Sequence, residues 1–207
     1  METLKELLSV LVPLSIIMDP LGNLPFFIIF TRENTRRERV SMAAIASSAA
    51  CAVLIFFALT GDAILDFFDI GIPAFQIAGG FIFFVYSLQL LHLIPMGIKS
   101  TKEEEEEGIA KENAALVPLA IPLLAGPGAI TAVVVWRNGT EDSVGILPLL
   151  IAIIIACLSV FVVFYFGEKI HHVLGVGGIR VVTRLMGLLL AVIAVEFIVK
   201  GVEELCL

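Results

Sequence analysis

The chain is short of charge, short of cysteine and without a basic stretch, and each shortage removes a class of function. Only 16% of its 207 residues are Asp, Glu, Lys or Arg, against roughly 25% in soluble domains. Apolar residues make up 59% and the mean hydropathy is +1.04, which leaves too little polar surface to cover a water-soluble globule. Three cysteines, with no Cys-x-x-Cys and no Cys/His metal spacing, give neither a disulfide framework nor a metal site. Cys51 and Cys157 sit among Ala, Val and Leu and read as small buried hydrophobes, while Cys206 is at the tail. No basic stripe with interleaved aromatics is present, so nucleic acid is not expected as a partner. No glycine-rich phosphate loop is present, so ATP drive within this polypeptide is not expected either. The apolar segments contain no Ser/His, Cys/His or paired Asp arrangement, so the chain does not read as an enzyme, and no cofactor is expected. No small-residue cleavage site precedes Pro13, so no removable signal peptide is expected. Glu103 to Glu107 supply five of the charges behind the net −7 and read as a solvated loop.

What the chain does have is apolar length. Stretches of ~20 residues cross a bilayer as helix, and six lie near 6–30, 41–61, 72–94, 115–136, 145–167 and 181–201. The fold class is an all-α integral membrane protein. The 31–40 loop holds Arg32, Arg36, Arg37 and Arg39; the 95–114 loop holds Lys99, Lys102 and Lys111; the connection between segments 5 and 6 holds Lys169, Arg180 and Arg184. These ten basic residues fall on one side, against Lys5, Arg137 and Lys200 on the other. Positive residues mark the cytoplasmic side, so a multi-pass cell-membrane protein is expected, with both termini outside and the acidic 95–114 loop in the cytoplasm.

The sequence also repeats at half its length. Gly61-Asp62-Ala63-Ile64 matches Gly167-Glu168-Lys169-Ile170, and Cys51 matches Cys157, all 106 residues apart. Asp19-Pro20-Leu21-Gly22 lies 107 residues before Gly126-Pro127-Gly128-Ala129, and Gln76-Ile77-Ala78-Gly79 lies 108 before Arg184-Leu185-Met186-Gly187. Each copy holds three segments, an odd number, so the two enter the bilayer from opposite sides. The organisation is a first three-helix repeat over 1–94, the acidic loop over 95–114 and an inverted repeat over 115–207, forming one membrane domain.

Segments 1 and 4 are interrupted. The first carries Pro13, Pro20 and Pro25 and the fourth Pro118, Pro122 and Pro127, with glycine beside proline in both. Proline removes a helix hydrogen bond and clashes with the preceding turn, and both helices should break near the bilayer midplane. Backbone freed there must be buried in protein or line a wet cavity. Interrupted helices at matching positions of inverted repeats are where transporters bind their substrates. The candidate substrate residues are Asp19, Pro20, Gly22 and Asn23 at the first break and Gly126, Pro127, Gly128 and Thr131 at the second. Half-helices starting there are expected to point the amides of Gly22, Asn23 and Leu24, those of Gly128, Ala129 and Ile130, and the Thr131 hydroxyl, into a cavity. Helix N-termini attract carboxylates, and the carbonyls ending the preceding half-helices suit an ammonium, so the pair fits a zwitterion. Alternatively the prolines only kink packed helices. Asp19 is the one acidic residue deep in either break; a carboxylate at that depth costs about 2.5–3.5 kcal/mol on insertion scales and has a partner or a function. It reads as a proton carrier and substrate contact and as the cap of the helix that Pro20 opens, roles that do not exclude each other.

Gln76 and Arg184, repeat-related, are accessory candidates, although snorkelling to the cytoplasmic interface is the favoured reading of Arg184. Glu196 and Lys200, spaced i, i+4, read as an ion pair. Asp62, Asp66 and Asp69 read as a solvated turn, and His92, His171 and His172 as interfacial residues. Ser47, Ser48 and Ser159 read as bonding to helix carbonyls, and Asn138-Gly139-Thr140 as a turn. Gly79-Gly80 and Gly187 read as close helix contacts. The apolar face of segment 3 leaves a homo-oligomer open.

MDPLGNLPFF at 18–27, AFQIAGGFIFF at 74–84, PLLAGPGAIT at 122–131 and TRLMGLLLAVIAVEFI at 183–198 together resemble the MarC family of small multipass membrane proteins, within the wider amino-acid exporter superfamily typified by LysE. The resemblance runs over essentially the whole chain. It implies six spans in two inverted halves, no enzymatic activity, and transport of small neutral amino acids such as glycine and alanine coupled to protons. The expectation is therefore a symporter working by alternating access around the two breaks, with the lipid bilayer, a neutral amino acid and a proton as its partners. The alternatives are an exporter of another small metabolite and a non-transporting scaffold or accessory protein.

Overall fold

The computed structural model describes residues 2–32, 34–94, 124–138 and 144–206, with side chains from residue 5 onward. These residues are helical and contain no strand. The helices are α1 (Glu2–Met18), α2 (Pro20–Phe30), α3 (Arg36–Phe67), α4 (Ile72–Leu90), α5 (Pro127–Asn138), α6 (Ile146–Tyr165) and α7 (Gly167–Cys206). Five stretches are long and apolar enough to span a bilayer: α1 and α2 taken together, α3, α4, α6 and α7. With 12 residues, α5 is too short to cross alone. The first half of segment 4, with Pro118 and Pro122, the acidic loop and the Gly139-Thr140 turn lie outside the described residues.

Small side chains are concentrated where α3 and α6 pack, and many large apolar ones face outward. The inner face of α3 presents Ala43, Ala46, Ser47, Ala50, Ala58 and Gly61, and α6 answers with Ala152, Ala156 and Cys157. Phe56, Leu59, Phe81, Ile154, Leu158 and Val192 stand exposed. Lipid tails are as apolar as leucine, so helices in a bilayer gain by close backbone approach rather than by hiding large side chains. The segment boundaries follow local chemistry. Thr35 and Glu38 form a capping box, with the Thr35 N–H donating to Glu38 Oε2 at 2.6 Å, and this starts α3 ahead of the apolar run. The same helix begins at Arg36 and continues through Asp62 and Asp66 to Phe67, so it is longer than the expected 41–61.

The connection between segments 5 and 6 is not a loop. α7 begins at Gly167, directly after α6, and is two helices joined at Gly175, whose φ of 61° and ψ of 177° suit a residue without Cβ. Asp69, 106 residues earlier, also has a positive φ, 54°, in the turn between α3 and α4. The same reversal is thus built twice. Helix contacts recur in the same paired way: α2 packs on α7 as α5 packs on α4, and α2 packs on α6 as α5 packs on α3. Gly167 admits Leu24 of α2 where Gly61 admits Val134 of α5. The repeat-related Cys51 and Cys157 meet where α3 crosses α6. At one end Arg39 pairs with Glu168, and the Phe27 and Phe164 rings stack with centroids 4.4 Å apart. Glu196 and Lys200 form their expected ion pair, at 3.1 Å, toward the other end.

Candidate functional site

The first break is one residue wide. Pro20 has no N–H to offer and cannot extend α1, so the chain turns at Asp19 (φ 36°, ψ 68°) and restarts as α2. A left-handed conformation costs about 1–2 kcal/mol for most residues, and aspartate is among the few that visit it. Asp19 N–H still donates to the Ser15 carbonyl at 3.2 Å, so α1 keeps its last bond. Asp19 Oδ1 accepts from the Gly22 N–H at 3.0 Å, and the Asp19 carbonyl accepts from the Asn23 N–H at 3.1 Å. The Asn23 side chain reaches back, its Nδ2 donating to the Met18 carbonyl at 2.9 Å. Gly22 is required here, because a Cβ would stand 1.9 Å from Asp19 Oδ2. The amides of Gly22 and Asn23, expected to face a cavity, are therefore taken by Asp19 itself. The carboxylate is 1% exposed, and its Oδ2 is buried with no hydrogen-bond partner. Capping thus occupies one oxygen of Asp19 and leaves the other without a bond.

The second break carries no such cap. Gly126 stands where Asp19 stands and has no side chain, Pro127 opens α5, and the Ile130 N–H donates to the Gly126 carbonyl at 3.1 Å. A Cβ on Gly128 would lie 2.8 Å from the Phe83 ring and 3.9 Å from Ile17. That glycine lets the first turn of α5 come against the last turn of α1, two residues from Asp19, and so the two breaks are neighbours. The Thr131 hydroxyl donates to the Pro127 carbonyl at 2.8 Å, and its methyl group lies over Gly79. Its proton is not offered to the cavity, contrary to expectation.

A cavity of about 400 Å³ opens at this junction, bounded by Ile17, Phe83, Tyr86, Gln89, Leu124 and the turn from Gly126 to Ala129. Its walls are apolar, and its polar side chains are Tyr86 and Gln89. Asp19 does not line it. Tyr86, half-buried on α4, lines it one turn from Gln89. Sequence reading missed Tyr86, although it lies one turn beyond Phe83 on the helix that carries Gln76 and Gly79. Gln76 is buried on α4, one turn from Gly79, with its Oε1 unpartnered, and it is not in the cavity wall. Arg184 is exposed on α7 and is not brought to the site. Its neighbour Thr183 turns inward instead, donating to the Ile179 carbonyl at 2.9 Å. Ser48 and Ser159 bond to helix carbonyls as expected, at 3.0 and 2.7 Å, whereas the buried Ser47 hydroxyl has no partner. Among the described residues no group of three His, Cys, Asp or Glu is placed to hold a metal.

The profile described as MarC family integral membrane protein matches residues 4–206. A UPF0056 membrane protein of Aquifex aeolicus is 37% identical over 189 residues, covering 91% of this chain and 88% of its own. One from Pyrococcus abyssi is 37% identical over 204 residues, covering 98% and 97%. The UPF0056 membrane protein YhcE of Escherichia coli is 33% identical over 187 residues, covering 90% and 87%. No solved structure matches the chain.

Proposed function

The chain belongs to the MarC family of integral membrane proteins, and from that premise we propose that it is a secondary transporter of small neutral amino acids, glycine and alanine, driven by protons. The observation that carries this reading is the opposite furnishing of two adjacent breaks. One holds a buried carboxylate with a free oxygen, and the other presents a helix N-terminus with no side-chain cap. A zwitterion has the matching charges, with its carboxylate toward the first turn of α5 and its ammonium on the Asp19 side. Gly128 and Ala129 line the cavity beside the α5 terminus and keep its wall free of bulk there, which suits a small substrate side chain. Asp19 is the coupling group. One proton moving inward contributes about 2.3 kcal/mol per 100 mV of membrane potential. The two halves move against each other in alternating access, with the end that carries Arg32 to Arg39 and Lys169 toward the cytoplasm.

Uptake of radiolabelled glycine and alanine into liposomes holding the purified protein, with and without an imposed proton gradient, tests this. Wild type accumulates both amino acids against their gradients. Asp19→Asn keeps the cap geometry, because asparagine also accepts from the Gly22 N–H and also tolerates a left-handed φ, but it loses accumulation. Uptake that survives the substitution removes Asp19 as the coupling group, and an absence of uptake by wild type removes the amino-acid reading.

A further inference from the structure

Resting on the transporter reading above, we infer that the contact between Cys51 and Cys157 is the pivot of the transport cycle, a thiol pair that stays together while the ends of α3 and α6 part. Its place follows from the helix register. α3 and α6 pack on each other, and Arg39 near the start of α3 pairs with Glu168 just past the end of α6, so the two helices run antiparallel. Cys51 lies 12 residues after Arg39 and Cys157 lies 11 before Glu168, which puts both about 17 Å along the helices from that ion pair. Both thiols turn into the protein, Cys157 buried and Cys51 packed against the core.

Inverted repeats give such a contact a special status. When the two halves exchange conformations, the state open to one side becomes the state open to the other, and each contact between the halves is replaced by its repeat image. At the offset of 106 residues the Arg39–Glu168 pair becomes Gly145 with Asp62, which cannot form an ion pair. The Phe27–Phe164 stack becomes Val134 with Ala58, at offsets of 107 and 106, which cannot stack. Those two contacts belong to one state. The Cys51–Cys157 contact is its own image and belongs to both. The residues around it agree. Ala46 with Ala152 and Ala50 with Ala156 are buried and identical, and the buried Leu54 and Val160 differ by one methylene. Ser47 with Ile153 is the exception. Farther out on the same faces Ala43 answers Leu149 and Ala58 answers Phe164. Gly61 and Gly167, also identical, face α5 and α2 instead of each other. A surface shared by both states has to fit itself in each, and small matching side chains let the backbones stay close.

The test bridges the pair with mercuric chloride, a neutral molecule that enters apolar surroundings, in liposomes holding the full chain with Cys206→Ser. Each thiol gives up its proton and each displaced chloride leaves with one, so the S–Hg–S product is neutral. The expected result is one mercury per chain, both thiols consumed, and glycine uptake equal to that of untreated protein. A second chain carries Cys51→Ser and Cys157→Ser as well, with Arg39→Cys and Glu168→Cys moving the bridge to the ends of the helices. There mercury should abolish uptake, and a chelating dithiol should restore it. Uptake lost on bridging Cys51 to Cys157 overturns the pivot while leaving the transporter reading in place, and so does a failure of the two thiols to share one mercury. Uptake that continues with the ends bridged overturns it too. Untreated protein that takes up no glycine overturns both readings. Should the second chain fail to fold, the native pair alone decides by the same two outcomes.

Discussion

The two breaks share a backbone plan and differ in charge. At the first, Asp19 folds its own carboxylate onto the amide of Gly22 and is sealed from solvent. At the second, Gly126 leaves the α5 terminus without a side-chain cap, Gly126 and Gly128 are half-buried, and Pro127 is exposed at the cavity. A duplicated half would, if unmodified, present two identical caps and suit a symmetric ligand or none. Divergence at one position per copy, aspartate in one and glycine in the other, gives the pair a dipole. The fold places the breaks together through contacts that nearly obey the repeat, and the chemistry comes from where the repeat fails.

The largest expected effect comes from erasing that difference. Gly126→Asp would give the second break the carboxylate cap of the first. Its φ is not in the left-handed region, and an aspartate N-cap stabilises a helix by roughly 1 kcal/mol, so the variant should fold. Its carboxylate would occupy the place proposed for the substrate carboxylate, and glycine binding should fall at least ~100-fold, or about 2.7 kcal/mol. Calorimetric titration of the folded variant measures it. Undiminished binding would mean that the α5 terminus is not where the carboxylate sits.

Alanine substitutions at the two glycines should separate structure from selectivity. Gly22→Ala places a Cβ 1.9 Å from Asp19 Oδ2 and must disrupt the cap. Loss of a cap together with overpacking amounts to about 2–4 kcal/mol, visible as early unfolding in denaturant. Gly128→Ala crowds the Phe83 ring at 2.8 Å and meets Ile17 at an ordinary 3.9 Å, and a ring can tilt, so its cost should be about 1 kcal/mol and should be relieved by Phe83→Leu. Its signature is selective, because a methyl group added to the cavity wall should weaken alanine more than glycine. Equal losses for both ligands would place the side-chain end of the substrate elsewhere.

Much of this was legible in the sequence because it depends on local rules. Pro20 and Pro127 each open a helix at a repeat-related position, the offset of about 106 residues is carried by Gly61 and Gly167 together with Cys51 and Cys157, and apolar length sets the spans. The helix that fills the connection between segments 5 and 6 was not legible, because Gly175, Gly177 and Gly178 follow closely there and glycine disfavours helix. The use of the Gly22 and Asn23 amides could not be read, since whether a carboxylate bends back onto its own helix depends on a φ angle that a residue name leaves open. Tyr86 escaped for a different reason. It is 67 residues from Asp19, and nothing in a one-dimensional pattern tells which face of α4 meets the first break. Arg184 was ambiguous for the same reason, and the helical phase that buries Thr183 leaves it outside.

The smallest expected effect is at a cap that carries no function. Thr35 and Glu38 close a capping box at the start of α3 through the same backbone logic as Asp19, with the Glu38 N–H donating to Thr35 Oγ1 at 3.4 Å, but both residues are exposed. Their groups can exchange bonds with water, so removing them costs only the difference between a fixed and a solvated bond. Thr35→Ala should lower the unfolding temperature slightly, Thr35→Asn should restore it, and both should transport glycine like wild type. Asp19→Asn should do the reverse, holding or raising the unfolding temperature because a buried charge is gone, while accumulation is lost. Measured side by side, the two variants ask whether an aspartate at depth is retained for its cap or for its charge. If accumulation and stability fall together at Asp19 as they would for any cap, the first break is structural and its likeness to Thr35 is complete.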